Sequence, residues 1–267
     1  MKQYSLHTVC EEAHCPNVGD CWGTGTATFM IMGEVCTRAC RFCNVKSGKT
    51  GGILDPQEPS NIGRAVKDLD LRYVVVTSVD RDDLSDGGAS HFAQTIASIK
   101  NLAPSVFVEG LIPDFGGGAV EIRTVVQAGP DVIGHNLETT EPLTSIVRDP
   151  RASYRKSLSV LEQVKRFSPR IFTKSSLMLG LGETKEDVIQ TLRDLRRVGT
   201  DFLTLGQYLR PSPRNLAVTR YLTPDEFDHY REVAEKLGFL YVASGPLVRS
   251  SYRAGEYFIH NVLRQSY

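Results

Sequence analysis

The chain has 267 residues, of which 41% are hydrophobic and 23% charged, and its 31 basic side chains equal its 31 acidic ones. This balance is ordinary for a globular protein and gives no reason to expect a nucleic-acid or membrane partner. The longest apolar runs, such as Tyr73 to Val79, are too short to span a bilayer, and the first residues show no targeting pattern. We therefore expect a cytoplasmic protein.

Short β-rich runs alternate with amphipathic helical patterns along most of the chain. In chain order, strands are predicted at Thr26–Gly33, Tyr73–Asp80, Ser105–Pro113, Asp131–Glu138, Ile171–Gly180 and Phe202–Tyr208. Helices are predicted at Ile62–Leu71, His91–Lys100, Ala119–Ala128, Tyr154–Phe167, Lys185–Val198 and Pro224–Leu237. Six such units favour an α/β fold, a partial (β/α)6 barrel of the TIM type, with its site at the carboxyl ends of the strands.

All six cysteines fall between Cys10 and Cys43, and the remainder of the chain has none. Disulfides usually connect distant parts of small secreted proteins, and this chain shows neither feature. Clustered cysteines in a reducing compartment favour ligation of a soft metal centre.

The second cysteine triplet, Cys36, Cys40 and Cys43, has the spacing CxxxCxxC and follows the first predicted strand. Three thiolates on one tight loop can ligate three irons of a 4Fe–4S cluster, and the open fourth iron is typical of a catalytic centre. A zinc knuckle or a ferredoxin site is the alternative. Zinc would usually need a second close pair of ligands, and a ferredoxin would need a fourth cysteine.

With Phe42 before its last cysteine, this triplet resembles the signature of the radical S-adenosylmethionine superfamily. The resemblance implies that the open iron binds S-adenosylmethionine. It also implies that an electron from the cluster cleaves this cofactor to methionine and a 5′-deoxyadenosyl radical.

The first triplet, Cys10, Cys15 and Cys21, lies in the run CEEAHCPNVGDCW, which resembles the hallmark of lipoyl synthases. The resemblance implies that these cysteines hold a second, auxiliary 4Fe–4S cluster, and it gives His14 no role as a ligand. The run Arg249-Ser250-Ser251-Tyr252 resembles the RSSY motif of the same family, which supplies a serine oxygen as the fourth ligand. We expect Ser251 to be that ligand, and Ser250 is the alternative.

The resemblance also implies contacts to S-adenosylmethionine after several strands. Gly87 and Gly88 stand for the Gly-Gly-Glu-like turn that meets the amino group, although a Gly-Gly pair alone indicates only a turn. Asn136 and Glu138 alternate onto one face of a strand and suit the ribose or the methionine moiety. Lys174 could meet a carboxylate, although a lone lysine is most often a solvated surface charge.

Two segments depart from the family pattern on the substrate side. Arg210 in the run GQYLRPS stands where glutamine is expected, and Arg214 to Val218 differ from a KHLPV pattern. Tyr208 could equally finish a buried strand or contact substrate.

The implied reaction inserts two sulfur atoms, taken from the auxiliary cluster, into an octanoyl chain on a lysine of a lipoyl carrier domain. The carrier would be the acyltransferase subunit of a 2-oxoacid dehydrogenase or the glycine cleavage H protein. An electron donor such as ferredoxin or flavodoxin and iron–sulfur assembly proteins complete the expected partners. The rivals are a methylthiotransferase, which would be expected to add a substrate-binding domain, and a non-catalytic iron–sulfur electron carrier.

The motifs divide the chain into three expected parts. Residues 1–22 form an auxiliary-cluster segment, residues 23–240 form the radical S-adenosylmethionine barrel, and residues 241–267 form a C-terminal segment with the RSSY motif.

Overall fold

A single mostly parallel sheet organises the computed structural model, which describes residues 7–8 and 18–251, with the backbone alone at residues 7, 8, 18, 20 and 21. The parallel strands are β2 (Thr26–Ile31), β5 (Tyr73–Ser78), β6 (Phe107–Leu111), β7 (Val132–Gly134), β8 (Phe172–Leu179), β9 (Phe202–Gln207) and β10 (Tyr241–Gly245). The short strand β1 (His7–Thr8) pairs antiparallel with β2. A separate two-stranded ladder joins β3 (Val35–Cys36) to β4 (Lys46–Ser47).

The strand order in the large sheet follows the chain, β1-β2-β5-β6-β7-β8-β9-β10. Consecutive parallel strands in chain order, each connected through helical crossovers, are the arrangement of a TIM-type barrel. The predicted α/β fold and partial barrel are therefore confirmed. The seventh parallel strand, β10, was not predicted, and it carries the sheet past residue 240, where we expected the barrel to end.

Helices cover the outside of the sheet. They are α1 (Val18–Gly23), α2 (Glu58–Asp68), α3 (Ala89–Leu102), α4 (Ala119–Gln127), α5 (Thr144–Val147), α6 (Tyr154–Phe167), α7 (Lys185–Arg197) and α8 (Pro224–Lys236). Single turns of 3₁₀ helix lie at Phe115–Gly117 and Glu141–Leu143. Capping boxes start α7 at Thr184 and α8 at Thr223, since each threonine hydroxyl and the acid three residues on satisfy each other's backbone N–H groups. No helix of the described ranges is long and apolar enough to cross a membrane.

The interior of the barrel is closed by side chains at the amino ends of the strands. The first residues of five strands, Tyr73, Phe107, Val132, Phe172 and Phe202, pack together there, and the rings of Phe172 and Phe202 stack with centroids 5.2 Å apart. Because this end is filled, a ligand has room only at the opposite end, where the strands finish. That end carries the cysteine loop.

Candidate active site

A cavity of about 300 Å³ opens at the carboxyl ends of the strands. Its walls come from β2, from the loop that carries Cys36, Cys40 and Cys43, and from the residues that follow β5, β6 and β7. The last two described residues, Ser250 and Ser251, also line it. The structure therefore brings the second cysteine triplet and the predicted serines, more than 200 residues apart in sequence, to one cavity.

The sulfur atoms of the three cysteines accept backbone hydrogen bonds. The Cys36 Sγ accepts from the N–H of Arg38 (3.4 Å) and of Asp80 (3.3 Å). The Cys40 Sγ accepts from Asp149 N (3.3 Å), and the Cys43 Sγ lies 3.5 Å from Val45 N. Hydrogen bonds donated to sulfur favour the thiolate form that binds iron. This is the observation by which the loop fits an iron–sulfur cluster.

Burial acts against ionisation of the same thiols in the protein alone. Desolvation raises the pKa of Cys36 to about 12 and that of Cys40 to about 11, and it also raises the pKa of Cys43. Such thiols become ligands only when a metal replaces their protons. Within the described part of the chain, no three His, Cys, Asp or Glu side chains converge closely enough to hold a single metal ion.

Arg38, inside the cysteine triplet, anchors the loop to three carboxylates. Its guanidinium makes a two-pronged contact with the fully buried Asp114 (2.9 and 2.7 Å). It also contacts Asp82 (2.8 Å) and lies 3.3 Å from Asp80. Although burial alone would raise the pKa of Asp114, the hydrogen bond and charge of Arg38 lower it to about 2. Arg38 therefore holds a fixed ion pair directly beside the cavity.

A second set of contacts holds the loop from the C-terminal half of the barrel. The side-chain amide of Asn215 donates to the carbonyl of Cys43 (2.8 Å), and Leu216 N donates to the carbonyl of Arg41 (3.1 Å). The hydroxyl of Tyr208 donates to the carbonyl of Leu216 (2.9 Å). Tyr208 is thus buried and supports this segment, and it does not line the cavity.

Asn136 and Glu138 both line the cavity, in the segment that follows β7 and not within a strand as predicted. Glu138 has a φ of +69°, so the backbone turns sharply there. Burial raises the pKa of the Glu138 carboxyl, against the charge of Arg148 and a hydrogen bond from Asn136. Whether they bind S-adenosylmethionine stays a prediction.

The first triplet lies mostly beyond what the structure describes. Cys10, His14 and Cys15 are outside the described residues, as is Tyr252. Cys21 lies in the short helix α1, of which only the backbone is described at that position. The assignment of these cysteines to an auxiliary cluster stays a prediction.

The expected contact of Gly87 and Gly88 with S-adenosylmethionine stays a prediction, and neither glycine lines the main cavity. Both have positive φ, +59° and +89°, and they form the turn that starts α3, where an added Cβ at Gly88 would meet the Met32 side chain. Gly87 lines a neighbouring cavity of about 200 Å³, whereas residues 77–80, at the end of β5 and directly after it, line the main cavity. The two glycines lie outside the main cavity because they come several residues after β5 ends, whereas the residues that directly end a strand face the barrel mouth.

Lys174 also differs from its expected role. Its ammonium lies 2.9 Å from both carboxylate oxygens of Glu109, which also accepts a hydrogen bond from the Tyr73 hydroxyl (2.6 Å). Lys174 and Glu109 are almost fully buried, and neither lines the main cavity. The lysine charge is thus neutralised inside the barrel, so we no longer assign Lys174 to cofactor binding.

His135 is a buried, neutral residue of the cavity wall. Its Nδ1 faces the carbonyl of Ile112 (2.9 Å) and therefore donates, so that Nε2 accepts from the Ser157 hydroxyl (2.9 Å). Arg148 in turn donates to that hydroxyl (2.9 Å). Burial, with the charge of Arg148, lowers the pKa of His135 to about 4.

This pKa predicts an acid-sensitive contribution to stability. Between pH 6.5 and about 4 the unfolded chain takes up a proton on His135 that the folded protein refuses, so folding stability falls as pH falls through this window. At pH 5 the loss from this group is about 2 kcal/mol relative to pH 7. Thermal unfolding of the parent and of His135→Gln at both pH values measures it. An equal loss in both proteins would contradict the assignment.

Sequence patterns gave no signal for several residues that shape the site. Arg38, Asp114, Asn215 and Arg148 act through contacts made by the folded chain. Only the position of Arg38 between two ligand cysteines could have drawn attention to it.

Comparisons with known proteins agree with this site. The family model of the Radical SAM superfamily matches residues 30–195, which include the cysteine loop. The mitochondrial lipoyl synthase of Schizosaccharomyces pombe is 56% identical over 265 residues, covering 97% of this chain and 72% of the relative. The lipoyl synthase of Marinobacter nauticus is 55% identical, covering 98% of this chain and 75% of that protein.

A solved structure supports the fold alone. The FeFe-hydrogenase maturase from Carboxydothermus hydrogenoformans superimposes with a TM-score of 0.61 at 12% identity, covering 85% of this chain and 61% of that one. Three findings lead to one conclusion: the cysteine loop at the mouth of the barrel, the match to the family model, and the similarity to two lipoyl synthases along nearly the whole chain. The chain belongs to the lipoyl synthase family of the radical S-adenosylmethionine superfamily.

Proposed function

We propose that Cys36, Cys40 and Cys43 hold the cluster with which this lipoyl synthase cleaves S-adenosylmethionine. The family's reaction is a radical insertion of sulfur, and its cofactors are S-adenosylmethionine and two 4Fe–4S clusters. The observation that carries the assignment is that three thiols share one cavity while backbone N–H groups point at their sulfur atoms. When bound, the clusters supply the electron that cleaves the cofactor and the sulfur that is inserted.

The side chains around the cavity have complementary tasks in this proposal. Arg38 and Asn215 fix the cysteine loop, so that the ligands are held in position before the cluster binds. Apolar walls that include Met30, Val79 and Ile112 exclude water from a reactive intermediate. Asn136 and Glu138 present the polar groups that suit the ribose or the methionine moiety.

Cys10, Cys15, Cys21 and Ser251 are proposed to hold the auxiliary cluster. The presence of Ser250 and Ser251 on the cavity wall supports a role near the site of sulfur transfer. A serine oxygen is a harder ligand for iron than a thiolate and is more easily displaced, which suits a cluster that gives up its sulfur. Ser250 remains the alternative to Ser251.

The substrate is an octanoyl chain on a lipoyl carrier protein. We further propose that the carrier is an acyltransferase subunit of a 2-oxoacid dehydrogenase or the glycine cleavage H protein. The proposed electron donor is a ferredoxin or flavodoxin, and iron–sulfur assembly proteins are proposed to rebuild the cluster. We keep the cytoplasm as the proposed location, because free clustered thiols need a reducing compartment. The fission yeast relative, by contrast, is mitochondrial.

The division of the chain is proposed with one change. Residues 1–22 contribute to the auxiliary cluster, the barrel runs from 23 through β10 to residue 245, and the remaining residues carry the RSSY motif.

An anaerobic assay tests the function. The reconstituted protein is given S-adenosylmethionine, a reductant and an octanoyl-lysine peptide, and mass spectrometry follows the peptide. We expect two sulfur atoms to be added to each converted peptide, with two molecules of 5′-deoxyadenosine formed. Cofactor cleavage without any sulfur on the peptide would overturn the proposed substrate and keep the superfamily.

A further inference from the structure

The neutral total charge of the chain conceals two strongly basic segments. Residues 35–54, which contain the cysteine loop, carry four basic side chains and no acidic one. Residues 202–222, which contain the end of β9 and the loop after it, carry three basic side chains and again no acidic one. The rest of the chain therefore has the acidic excess.

The fold brings these two segments into contact beside the cavity. The Arg41 carbonyl accepts from Leu216 N (3.1 Å), and the Arg214 guanidinium donates to the side chain of Asn44 (3.3 Å). Arg210 donates to the carbonyl of Asn215 (2.9 Å), whose amide holds Cys43. We call Arg41, Arg210 and Arg214 the arginine rim.

The arginine rim is exposed, and its charges are not compensated by carboxylates of the described residues. All three side chains are solvent-exposed, and none forms an ion pair with a carboxylate of the residues that the structure describes. Three other basic residues of the two segments differ, because Arg38 pairs with buried Asp114, Lys46 with Glu34 and Arg220 with Glu226. The rim guanidinium groups instead donate to carbonyl and amide oxygens, which fixes their positions while leaving their charge unneutralised.

The position of the rim relates it to the entrance of the site. Phe42 and Cys43 line the cavity, and Arg41 precedes them on the same loop. A substrate lysine must enter this cavity while the protein that carries it stays outside. The surface of the carrier next to that lysine would therefore lie on the rim.

We propose that the arginine rim is the docking surface for an acidic face of the octanoylated carrier domain. The inference rests on the proposed function and adds to it the chemistry by which the partner is recognised. Unpaired positive charges at a site entrance raise the association rate of a partner of opposite charge and select against basic partners.

Charge reversal provides the test. The variant Arg210→Glu/Arg214→Glu is compared with Arg64→Glu/Arg193→Glu, a control of equal charge change at exposed arginines on the outer helices α2 and α7. The substrates are an octanoylated carrier domain of net negative charge and a short uncharged octanoyl-lysine peptide. At low salt we expect the rim variant to raise the ratio of carrier KM to peptide KM about tenfold, a ratio in which any effect on the cysteine loop common to both substrates cancels. The control should behave as the parent.

Salt and direct binding complete the design. The difference between rim variant and parent should shrink at 0.5 M salt, a condition we choose because exposed charges are then screened within about 5 Å. An unchanged ratio in the rim variant, or an equal rise in the control, would overturn the proposal. Binding of the carrier without S-adenosylmethionine, followed by fluorescence anisotropy, separates docking from catalysis if the parent proves inactive. If the parent binds a single-stranded RNA and the rim variant does not, while neither binds the carrier, the rim would be assigned to nucleic acid. That result would also overturn the proposal.

Discussion

Replacement of Cys36 by alanine is expected to lower the rate of S-adenosylmethionine cleavage by on the order of 10³-fold or more, the loss seen when a reacting group is removed. The Cys36 sulfur accepts hydrogen bonds from two backbone N–H groups at the cavity. Outside the triplet, Cys21 in α1 is the one further cysteine among the described residues. The remaining two thiols would leave a cluster one ligand short. Anaerobic quantification of 5′-deoxyadenosine measures the effect.

The iron content of the variant provides the control. We expect Cys36→Ala to lose about the four irons of one 4Fe–4S cluster and to keep those of the other. Alanine at Cys40 or Cys43 should give the same result, because all three line one cavity. Cleavage at the parent rate in any of the three variants would contradict the assignment of this loop.

Replacement of Arg38 by methionine is expected to destabilise the fold by about 3–5 kcal/mol, the cost of leaving a buried charge unpaired. Asp114 is fully buried and depends on the two-pronged contact with Arg38. Loss of Arg38 removes the main cause of the low pKa of Asp114, so burial raises that pKa. The carboxyl is then either charged without its main partner or protonated, and each outcome costs stability near neutral pH. Thermal unfolding of the cluster-free protein should show a decrease in Tm of roughly 10 °C.

Two further variants identify the cause. Arg38→Lys keeps the charge and loses the paired geometry, so we expect a smaller loss than with methionine. The double variant Arg38→Met/Asp114→Leu removes the pair and should recover much of the stability, because Asp114 is the most deeply buried of the three carboxylates that Arg38 contacts. A double variant less stable than Arg38→Met would show that packing of the loop, and not the ion pair, dominates.

Local patterns were sufficient for the architecture. The alternation of β-rich runs and helices predicted six of the seven parallel strands, because each run forms a strand that is buried on both faces or nearly so. The missed strand, Tyr241–Gly245, is short and ends in small residues, and its place in the sheet depends on pairing with β9. This segment therefore forms a strand because of its pairing with β9 and not because of a local sequence pattern.

The contacts around the site could not be predicted in the same way. Arg38 and Asp114 are 76 residues apart, and Asn215 and Cys43 are 172 apart, so no local periodicity connects them. The positions of Gly87 and Lys174 outside the main cavity could not be predicted for a related reason. A motif shows which residue types are available, whereas only the register of the strands shows which of them reach the cavity.

The most direct test of the whole account compares Cys10→Ala with the parent in the octanoyl-lysine peptide assay. We assign radical generation to Cys36, Cys40 and Cys43 and the sulfur source to the other triplet. We therefore expect Cys10→Ala to form 5′-deoxyadenosine while adding no sulfur to the peptide. If Cys10→Ala adds two sulfur atoms as the parent does, or forms no 5′-deoxyadenosine at all, the division of tasks between the two triplets is wrong.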